Sequence, residues 1–385
     1  MKSRSRILCD VAAKRVVVRR FNIDEWSKPT MSSISKSREY WYDLPPDLVA
    51  KTPAAPRDSA RLMVYDTQNN KASHDTFLNI DDYLPDNGLL VFNDTMVVPA
   101  RVIMRKETGG KAEVLLFVGD VKGNDRCIKG LVDRKVEKGQ CLFFDKDHFL
   151  TMVCQEENIF VFEPNFSMKS LFSILNKKGK LPIPLYIKDT PLSERQRRVS
   201  YQTIFARHPA SIAAPTAALH FTNRIMEKIK RRGLSHVFVT LNIGLGTFAP
   251  VTEVNLAEGR LHRESYLVPF CSAKSVRQAK KAGTSVIAVG TTVTRTLESA
   301  ARDILSGPEG VDISGSTELF IRPSFDFKII DGLITNFHQR GTSLLYLVDS
   351  FLRHKKSKRS VVSLYEEAVR ERIRFFSFGD VMLIV

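Results

Sequence analysis

The pattern of hydrophobic and polar positions divides the chain into two parts. Between residues 89 and 162, short apolar runs are separated by turn-forming pairs such as Gly109-Gly110 and Lys138-Gly139, without a convincing helix of three turns. The runs predict strands at residues 89–92, 97–104, 112–118, 140–144, 149–153 and 159–162. We predict that residues 89–166 form a small antiparallel β-barrel, because closing a sheet into a barrel removes its exposed edges.

The period of the pattern changes at about residue 167, where strands begin to alternate with helices. The pattern predicts helices at residues 169–177, 223–232, 272–282, 294–305, 343–353 and 361–372, and strands at residues 236–243, 285–289, 332–337 and 381–385. This alternation is typical of a mixed or mostly parallel sheet covered by helices. The predicted fold class is α/β, with residues 39–88 and 167–385 forming a catalytic domain that carries the barrel as an insertion.

The composition adds a preference for an anionic partner. The chain has 385 residues and 43% hydrophobic content, enough for a sizeable core. Its 58 Lys and Arg side chains exceed its 42 Asp and Glu side chains, which gives a net charge of +16. Three basic clusters, at residues 195–198, 228–232 and 354–359, together indicate a surface that binds a nucleic-acid backbone. Each cluster alone is more typical of a solvated face.

The first residues and the cysteines bear on location. Residues 1–38 carry ten basic and three acidic side chains, a pattern that an organellar transit peptide also shows. We favour a poorly ordered extension or a misassigned start, because Met31 lies shortly before the first patterned segment. The five cysteines form no Cys-x-x-Cys pair, and no apolar run approaches the about 20 residues that span a bilayer. We expect a soluble, cytoplasmic monomer.

Open α/β sheets bind ligands beyond the carboxyl ends of their strands. Three predicted strands are followed there by glycine-rich or polar residues, which include Gly244, Gly246 and Thr247; Gly290, Thr291 and Thr292; and Asn336 and His338. The helix that begins at Thr291 can hold an anion at its N-terminus, with ordinary capping as the alternative. Residues 244–249 match a dinucleotide fingerprint only superficially, because Pro250 follows where the motif needs a helix.

Two further positions are candidates for proton transfer. His220 ends a run of small residues, so it either transfers protons or is a structural histidine. His262 and Glu264 share a face if they lie in a strand, and Glu264 is then a base or a ligand anchor. No pattern indicates a metal site, a P-loop, or a nucleophile with its base. The residues alone therefore predict a basic α/β enzyme with a small-ligand crevice near His220, Gly244, Thr291 and His338.

In their order along the chain, these segments resemble the S-adenosylmethionine:tRNA ribosyltransferase-isomerase family. The resemblance covers about nine-tenths of the sequence, from Tyr42 to the carboxyl end. The matching motifs include Pro56-Arg57-Asp58, Phe92-Asn93-Asp94-Thr95, Pro99-Ala100-Arg101, Tyr201-Gln202-Thr203, residues 213–221, residues 240–248, His262 with Glu264, residues 288–292 with Arg295, residues 335–338, and Gly379-Asp380.

The resemblance implies an α/β fold with an inserted barrel and a reaction on tRNA. The ribosyl unit of S-adenosylmethionine, a consumed co-substrate, is transferred to 7-aminomethyl-7-deazaguanine at the wobble position and rearranged there, without a metal. Adenine and methionine are released. The implied catalytic residues are His220, Glu264 and His338. The implied substrate-binding residues are Arg57, Asp58, Asn93, Asp94, Arg101, Thr216, Gly244, Gly246, Thr247, Thr291, Thr292, Arg295, Asn336 and Asp380.

The chain departs from the family pattern at several positions. It has Met96 where the family usually has Arg, Ala218 where it has Gly, Asn242 where it has His, and Gln339-Arg340 where it has Leu-Pro. These changes leave the fold untouched and bear on turnover. Two alternatives to an active enzyme follow: a divergent member with another nucleoside substrate or weak activity, and a non-catalytic RNA-binding module.

Overall fold

A computed structural model describes residues 40–119, 126–187, 189–244 and 251–385. The predicted extension at residues 1–38 and the predicted site residues Gly246 and Thr247 lie outside these ranges. The described strands are β1 Arg61–Asp66, β2 Lys71–Thr76, β3 Leu89–Asn93, β4 Thr95–Val97, β5 Arg101–Lys106, β6 Lys111–Phe117, β7 Ile128–Val132, β8 Cys141–Phe143, β9 Phe149–Glu156, β10 Ile159–Pro164, β11 His208–Ser211, β12 Ser235–Leu241, β13 Arg260–Val268, β14 Val286–Val289, β15 Ile313–Leu319, β16 Gly332–Asn336 and β17 Val381–Ile384. The described α-helices are α1 Met168–Lys178, α2 Glu194–Ser200, α3 Asn223–Arg231, α4 Glu253–Glu258, α5 Phe270–Lys281, α6 Thr291–Ser299, α7 Ala301–Ser306, α8 Ser343–His354 and α9 Val361–Arg370.

A large mixed sheet runs through the described part of the chain, with nine strands in the order β15-β13-β12-β3-β14-β16-β17-β1-β2. The central neighbours β12, β3, β14 and β16 are parallel to one another. The outer pairs are antiparallel except β17 with β1. The four central strands therefore end at one edge of the sheet, where the sequence predicts the ligand crevice.

Separate hydrophobic cores cover the two faces of this sheet. Leu89 and Val91 of β3 pack in one core with residues of α5, α6, α8 and α9, whereas Leu90 and Phe92 pack in the other with residues of α3. All of β3 is buried, as expected for a central parallel strand covered on both sides. The predicted α/β class is confirmed.

Six of the described strands close into an antiparallel barrel in the order β10-β7-β6-β5-β8-β9. The barrel has its own core, in which Val114, Leu131, Leu150 and Phe162 are buried, and Leu171 of α1 packs against it. This confirms the predicted small barrel. Closure leaves none of these six strands as an edge.

The strand predicted at residues 89–92 exists, but the prediction that it opens the barrel is wrong. It is β3, which pairs with β12 and β14 in the centre of the large sheet. Its five consecutive buried residues are typical of a central parallel strand, whereas β5 alternates buried and exposed residues as a barrel strand does. The barrel strands extend from Arg101 to Pro164.

Two other predicted elements are divided in the structure. The strand predicted at residues 97–104 is interrupted between β4 and β5, at Pro99, which has no N–H to donate to a ladder. The helix predicted at residues 294–305 is α6 followed by α7, with Ala300 between them. The sequence patterns missed the strands β1, β2, β7, β11, β13 and β15 and the short helices α2 and α4. In the described part of the chain, no helix combines the length and apolar character that crossing a membrane requires.

Candidate active site

A cavity of about 360 Å³ lies at the carboxyl edge of the central strands. Residues that follow or end three of these strands line it: Ile243 after β12, Gly290 after β14 and Asn336 in β16. The volume is within the range of about 300–1,000 Å³ that is typical of small-molecule sites. Tyr186 and Phe376 add aromatic walls. The cavity can therefore take a ligand with a flat, largely apolar part.

The N-terminus of α6 supplies the polar end of this cavity. Gly290, which precedes the helix, has φ 98°, a conformation that glycine adopts without strain, and this permits the sharp turn out of β14. No side chain of the described residues caps the helix. Thr291 and Thr292 line the cavity. The free N–H groups of the first turn and the helix dipole therefore favour an anionic ligand group there.

His338 is the predicted catalytic residue that lines the cavity. Its Nε2 lies 2.8 Å from Thr335 Oγ1, its backbone N–H donates to the Tyr365 hydroxyl, and its carbonyl accepts from the Tyr42 hydroxyl. Burial lowers the pKa of His338 from 6.5 to about 3. The imidazole is therefore neutral at physiological pH and can both donate and accept a hydrogen bond.

His220 lies behind the cavity wall and does not line it. Asn336 separates the two: its Nδ2 donates to His220 Nε2 at 3.3 Å, and its Oδ1 accepts from Thr216 Oγ1 at 2.8 Å. The His220 ring packs against Phe77. Burial lowers the pKa of His220 to about 4, although the charge of Asp380 acts in the opposite direction. A neutral His220 can thus orient Asn336, which reaches the cavity together with Thr216.

A second, much smaller compartment adjoins the cavity across Thr291, Thr292 and Leu344, which line both. Glu264 and Arg295 form a buried ion pair in it. Glu264 also accepts the N–H of Gly244 at 2.9 Å, and Arg295 Nε donates to the Leu319 carbonyl at 3.1 Å. His262 and Glu264 are both in β13 and both line this compartment, as their spacing predicts for a strand.

One nitrogen of the Arg295 guanidinium stands out in this compartment. Its Nη2 is buried and has no hydrogen-bond partner among the described residues. A buried donor without a partner is costly, so the arrangement is suited to an additional acceptor close to Thr291 and Thr292. The predicted site residues Thr216, Gly244, Thr291, Thr292, Arg295, Asn336 and His338 are thus brought together around the two compartments.

The predicted substrate-binding residues Asn93, Asp94 and Arg101 do not line the cavity. They lie on β3, on β5 or between these strands. Asn93 bonds Leu241 and Thr292, Asp94 accepts from Thr240 Oγ1 at 2.7 Å, and Arg101 pairs with Glu113 on the barrel. Asn93 acts on the site indirectly, through Thr292. A sequence motif does not distinguish these structural hydrogen bonds from contacts with a ligand.

Arg57, Asp58 and Asp380 do not line the cavity either, although the Asp380 carbonyl accepts from Asn336 Nδ2 at 3.3 Å. Arg57 donates to the carbonyls of Gln202 and Val199, both at 2.6 Å. Buried Asp58 pairs with Arg224, and buried Asp380 pairs with Arg374. These carboxylates are already neutralised by neighbouring arginines, so they hold segments of the chain together.

Of the departures from the family pattern, Gln339 lines the cavity, whereas Met96, Ala218, Asn242 and Arg340 do not. Ala218 is buried in the core beneath the sheet, and Met96 is in β4, paired with Pro209. The Asn242 amide donates to Ser265 and to the Gly119 carbonyl, where the barrel meets the sheet. Asn242 therefore contacts the junction between barrel and sheet.

Sequence reasoning did not assign Tyr186 or Phe376 to the site, although Phe376 lies in the segment Arg374-Phe375-Phe376-Ser377 that matches the family. The two rings are 4.7 Å apart in the cavity wall. The Tyr186 hydroxyl lies 2.6 Å from Ser377 Oγ, and burial raises its pKa to about 12. Tyr186 belongs to a short 3-10 helix, Leu185–Ile187, in an otherwise irregular segment. No periodic pattern or motif marks such a position.

The basic clusters lie at opposite edges of the sheet. Residues 228–232 end α3 just before β12 begins, and Arg232 pairs with Asp86, which precedes β3. Residues 354–359 follow α8, and Lys355 donates to the Asp331 carbonyl just before β16. Both clusters are therefore at the amino edge. Residues 195–198 are on the cavity side, because Tyr201 after α2 packs with Ala214 and Phe378.

No group of three or more His, Cys, Asp or Glu side chains within the described ranges is arranged to hold a metal ion.

Comparison with known proteins gives the family. The model of the queuosine biosynthesis protein family matches residues 37–384. A protein of Thermotoga maritima named S-adenosylmethionine:tRNA ribosyltransferase-isomerase is 40% identical over 91% of this chain and 100% of its own length, and a Carboxydothermus hydrogenoformans protein of the same name is 43% identical over 91% of this chain and 100% of its own length. The crystal structure of S-adenosylmethionine tRNA ribosyltransferase from Thermotoga maritima covers 90% of this chain and 100% of that one, with a TM-score of 0.51 and 33% identity. The chain therefore belongs to the queuosine biosynthesis protein family.

Proposed function

We propose that this protein transfers the ribosyl moiety of S-adenosylmethionine to 7-aminomethyl-7-deazaguanine at the tRNA wobble position and isomerises it, giving epoxyqueuosine-tRNA, adenine and methionine. The observation that carries the proposal is the cavity at the carboxyl edge, in a member of a family whose relatives bear this enzyme name. S-adenosylmethionine is a co-substrate that the reaction consumes.

The cavity suits the two ends of S-adenosylmethionine. The aromatic walls formed by Tyr186 and Phe376 offer surfaces against which a purine can stack. The uncapped N-terminus of α6 favours the methionine carboxylate, and Arg295 Nη2 supplies a second donor close to it. We assign Thr291, Thr292 and Arg295 to the carboxylate and Thr216 with Asn336 to the ribose.

The chemistry needs a proton acceptor and a proton donor. The sulfonium makes the C5′ protons of S-adenosylmethionine acidic, and adenine must gain a proton as it leaves. His338 faces the cavity in its neutral form. We assign His338 the passage of a proton from the substrate to departing adenine, because a neutral imidazole has one nitrogen that can accept a proton and one N–H that can donate one. Burial lowers the pKa of His338, so a proton that it accepts is readily given up to adenine.

The other predicted catalytic residues have positioning roles in this proposal. Glu264 fixes Gly244 and Arg295 through its two carboxylate oxygens. His220 orients Asn336 from behind the wall. Both act through the residues that touch the ligand, so their loss changes the geometry of binding before it changes proton transfer.

The test is adenine release from S-adenosylmethionine by the purified protein with an anticodon stem-loop RNA. One RNA carries 7-aminomethyl-7-deazaguanine at the wobble position and its control carries guanine. Release only with the deazaguanine RNA, with the corresponding gain in nucleoside mass, is the expected result. Salt-sensitive RNA binding without release from either RNA would instead favour a non-catalytic RNA-binding module.

We also propose that the sheet and the barrel are separate domains, with the barrel at Arg101–Pro164 inserted in the sheet domain. A monomeric state and a cytoplasmic location stay predictions. Light scattering of the purified protein and fractionation of cells that produce it are the corresponding measurements.

A further inference from the structure

An exposed tryptophan is paired with an arginine beside the cavity. Trp41 is 43% exposed, and the guanidinium carbon of Arg340 lies 3.8 Å from the centre of its ring. The two side chains form a flat, cationic surface. Part of the aromatic surface of Trp41 is therefore accessible to a planar partner from solution.

The pair is fixed to the cavity wall through its neighbours in the chain. Gln339 and Thr342, on either side of Arg340, line the cavity. Arg340 also donates to the carbonyl of Tyr42 at 3.4 Å, and the buried Tyr42 hydroxyl donates to the carbonyl of His338. Because Trp41 precedes Tyr42 directly, both members of the pair are tied to the segment that carries His338.

We propose that Trp41 and Arg340 form a stacking platform for an unpaired RNA base next to the base that is modified. This inference rests on the proposed function. A base that enters a cavity must leave the stack of its loop, and the adjacent base then loses a stacking partner. Aromatic rings and arginine planes replace such partners in RNA-binding proteins, and the positive charge of Arg340 suits the adjoining phosphate.

Tryptophan fluorescence gives a direct test. The chain has two tryptophans, Trp26 and Trp41, so Trp26→Phe leaves Trp41 as the reporter in the full-length protein. We expect the stem-loop RNA to quench its emission. Stem-loops with an abasic site at one loop position at a time should retain the quenching, except where the missing base is a neighbour of the wobble base. Equal quenching by all abasic RNAs, or none by the intact RNA, would overturn the proposal.

Kinetics provide a second, independent readout. Trp41→Ala should raise the KM for the stem-loop about tenfold, while the KM for S-adenosylmethionine stays within about twofold. Arg340→Lys keeps the positive charge but removes the planar guanidinium that stacks on Trp41, so it should also raise the KM for RNA. The matched control is Phe270→Ala, which removes another exposed aromatic side chain that does not line the cavity.

The outcomes separate this inference from the function on which it rests. If the wild-type protein releases adenine but Trp41→Ala leaves the KM for RNA unchanged, the stacking platform is rejected and the enzymatic proposal stands. If the wild-type protein releases none while loop abasic sites still abolish quenching selectively, the platform stands and the enzymatic proposal is rejected.

Discussion

Two compartments meet at Thr291 and Thr292, and they differ in what fills them. The larger has about 360 Å³ of space, aromatic walls and a neutral histidine, whereas the smaller has about 10 Å³ and is filled by the Glu264–Arg295 pair. The first is open to a ligand. The second positions Gly244 and Arg295, and Arg295 Nη2 is the donor that we assign to the ligand carboxylate.

In this site, the charged side chains lie in one compartment and the histidine proposed to transfer protons lies in the other. Besides pairing with each other, Glu264 accepts a hydrogen bond from Gly244 and Arg295 donates one to the Leu319 carbonyl. His338 in the larger compartment is kept neutral by burial, which lowers its pKa. Variants in the small compartment should therefore affect stability most, and variants in the large one should affect turnover most.

The largest effect is expected when the ion pair is broken. Arg295→Met leaves Glu264 buried without its cation, which should lower the free energy of unfolding by about 3–5 kcal/mol. Urea denaturation followed by circular dichroism measures this. The double variant Arg295→Met with Glu264→Gln should recover much of the stability. A single variant as stable as the double variant would contradict the assignment of a paired buried charge.

The second-largest effect is expected from a variant of His338, which should lower turnover far more than stability. His338→Gln should lower kcat for adenine release about 100-fold, because it removes the proton-accepting nitrogen from the cavity. The loss of its bond to Thr335 should cost only about 1 kcal/mol of folding free energy. Steady-state kinetics and urea denaturation on one preparation test both expectations. Thr335→Val keeps the imidazole and is the matched control, with a smaller loss of kcat.

Sequence reasoning predicted residues that line the cavity, but it did not distinguish them from residues that lie behind the cavity wall. His338 and Thr291 were predictable because they follow strands, and the ends of parallel strands meet at one edge. His220 also lies near that edge, but spacing along a chain does not show that Asn336 stands between it and the cavity. Asp58 and Asp380 look like ligand-binding carboxylates in sequence, although each carboxylate is paired with an arginine and neither residue lines the cavity.

The fold was predictable where one pattern dominates. Alternating runs predicted the barrel strands except β7, and apolar periodicity predicted α8 and α9. The sheet membership of β3 was not predictable, since its partners β12 and β14 are more than 140 residues away along the chain. Strands such as β13 and β15, at the outer part of the sheet, have many exposed residues and therefore little apolar signal.

The free energy of unfolding should depend on pH because two histidines at the site are buried in the neutral form. Burial lowers the pKa of His338 to about 3 and that of His220 to about 4, from 6.5. Between pH 6.5 and 4 the unfolded chain binds protons that the folded protein excludes. The free energy of unfolding should therefore fall as the pH falls, by up to about 1.4 kcal/mol per pH unit for each histidine.

Urea midpoints at pH 7.5, 6.0 and 5.0 measure this slope. His338→Gln removes one of the two buried histidines and should flatten the decline. An equally steep decline in the variant would show that His338 is not held neutral in the folded protein. Above pH 7.5 both proteins should show little further change from these groups, because histidine is then neutral in the unfolded chain as well.

The smallest effect concerns the two edges of the sheet. The exposed Lys230 and Arg231 are at the amino edge, opposite the cavity, whereas the exposed Arg195 is on the cavity side. Lys230→Glu with Arg231→Glu should change the affinity for the stem-loop RNA by about twofold or less, the range for remote surface substitutions. Arg195→Glu should weaken binding further and lower the salt dependence by about one phosphate contact. Filter binding at several salt concentrations measures both. A larger loss from the amino-edge variant would mean that the RNA wraps around the sheet, and the site would then extend well beyond the two compartments.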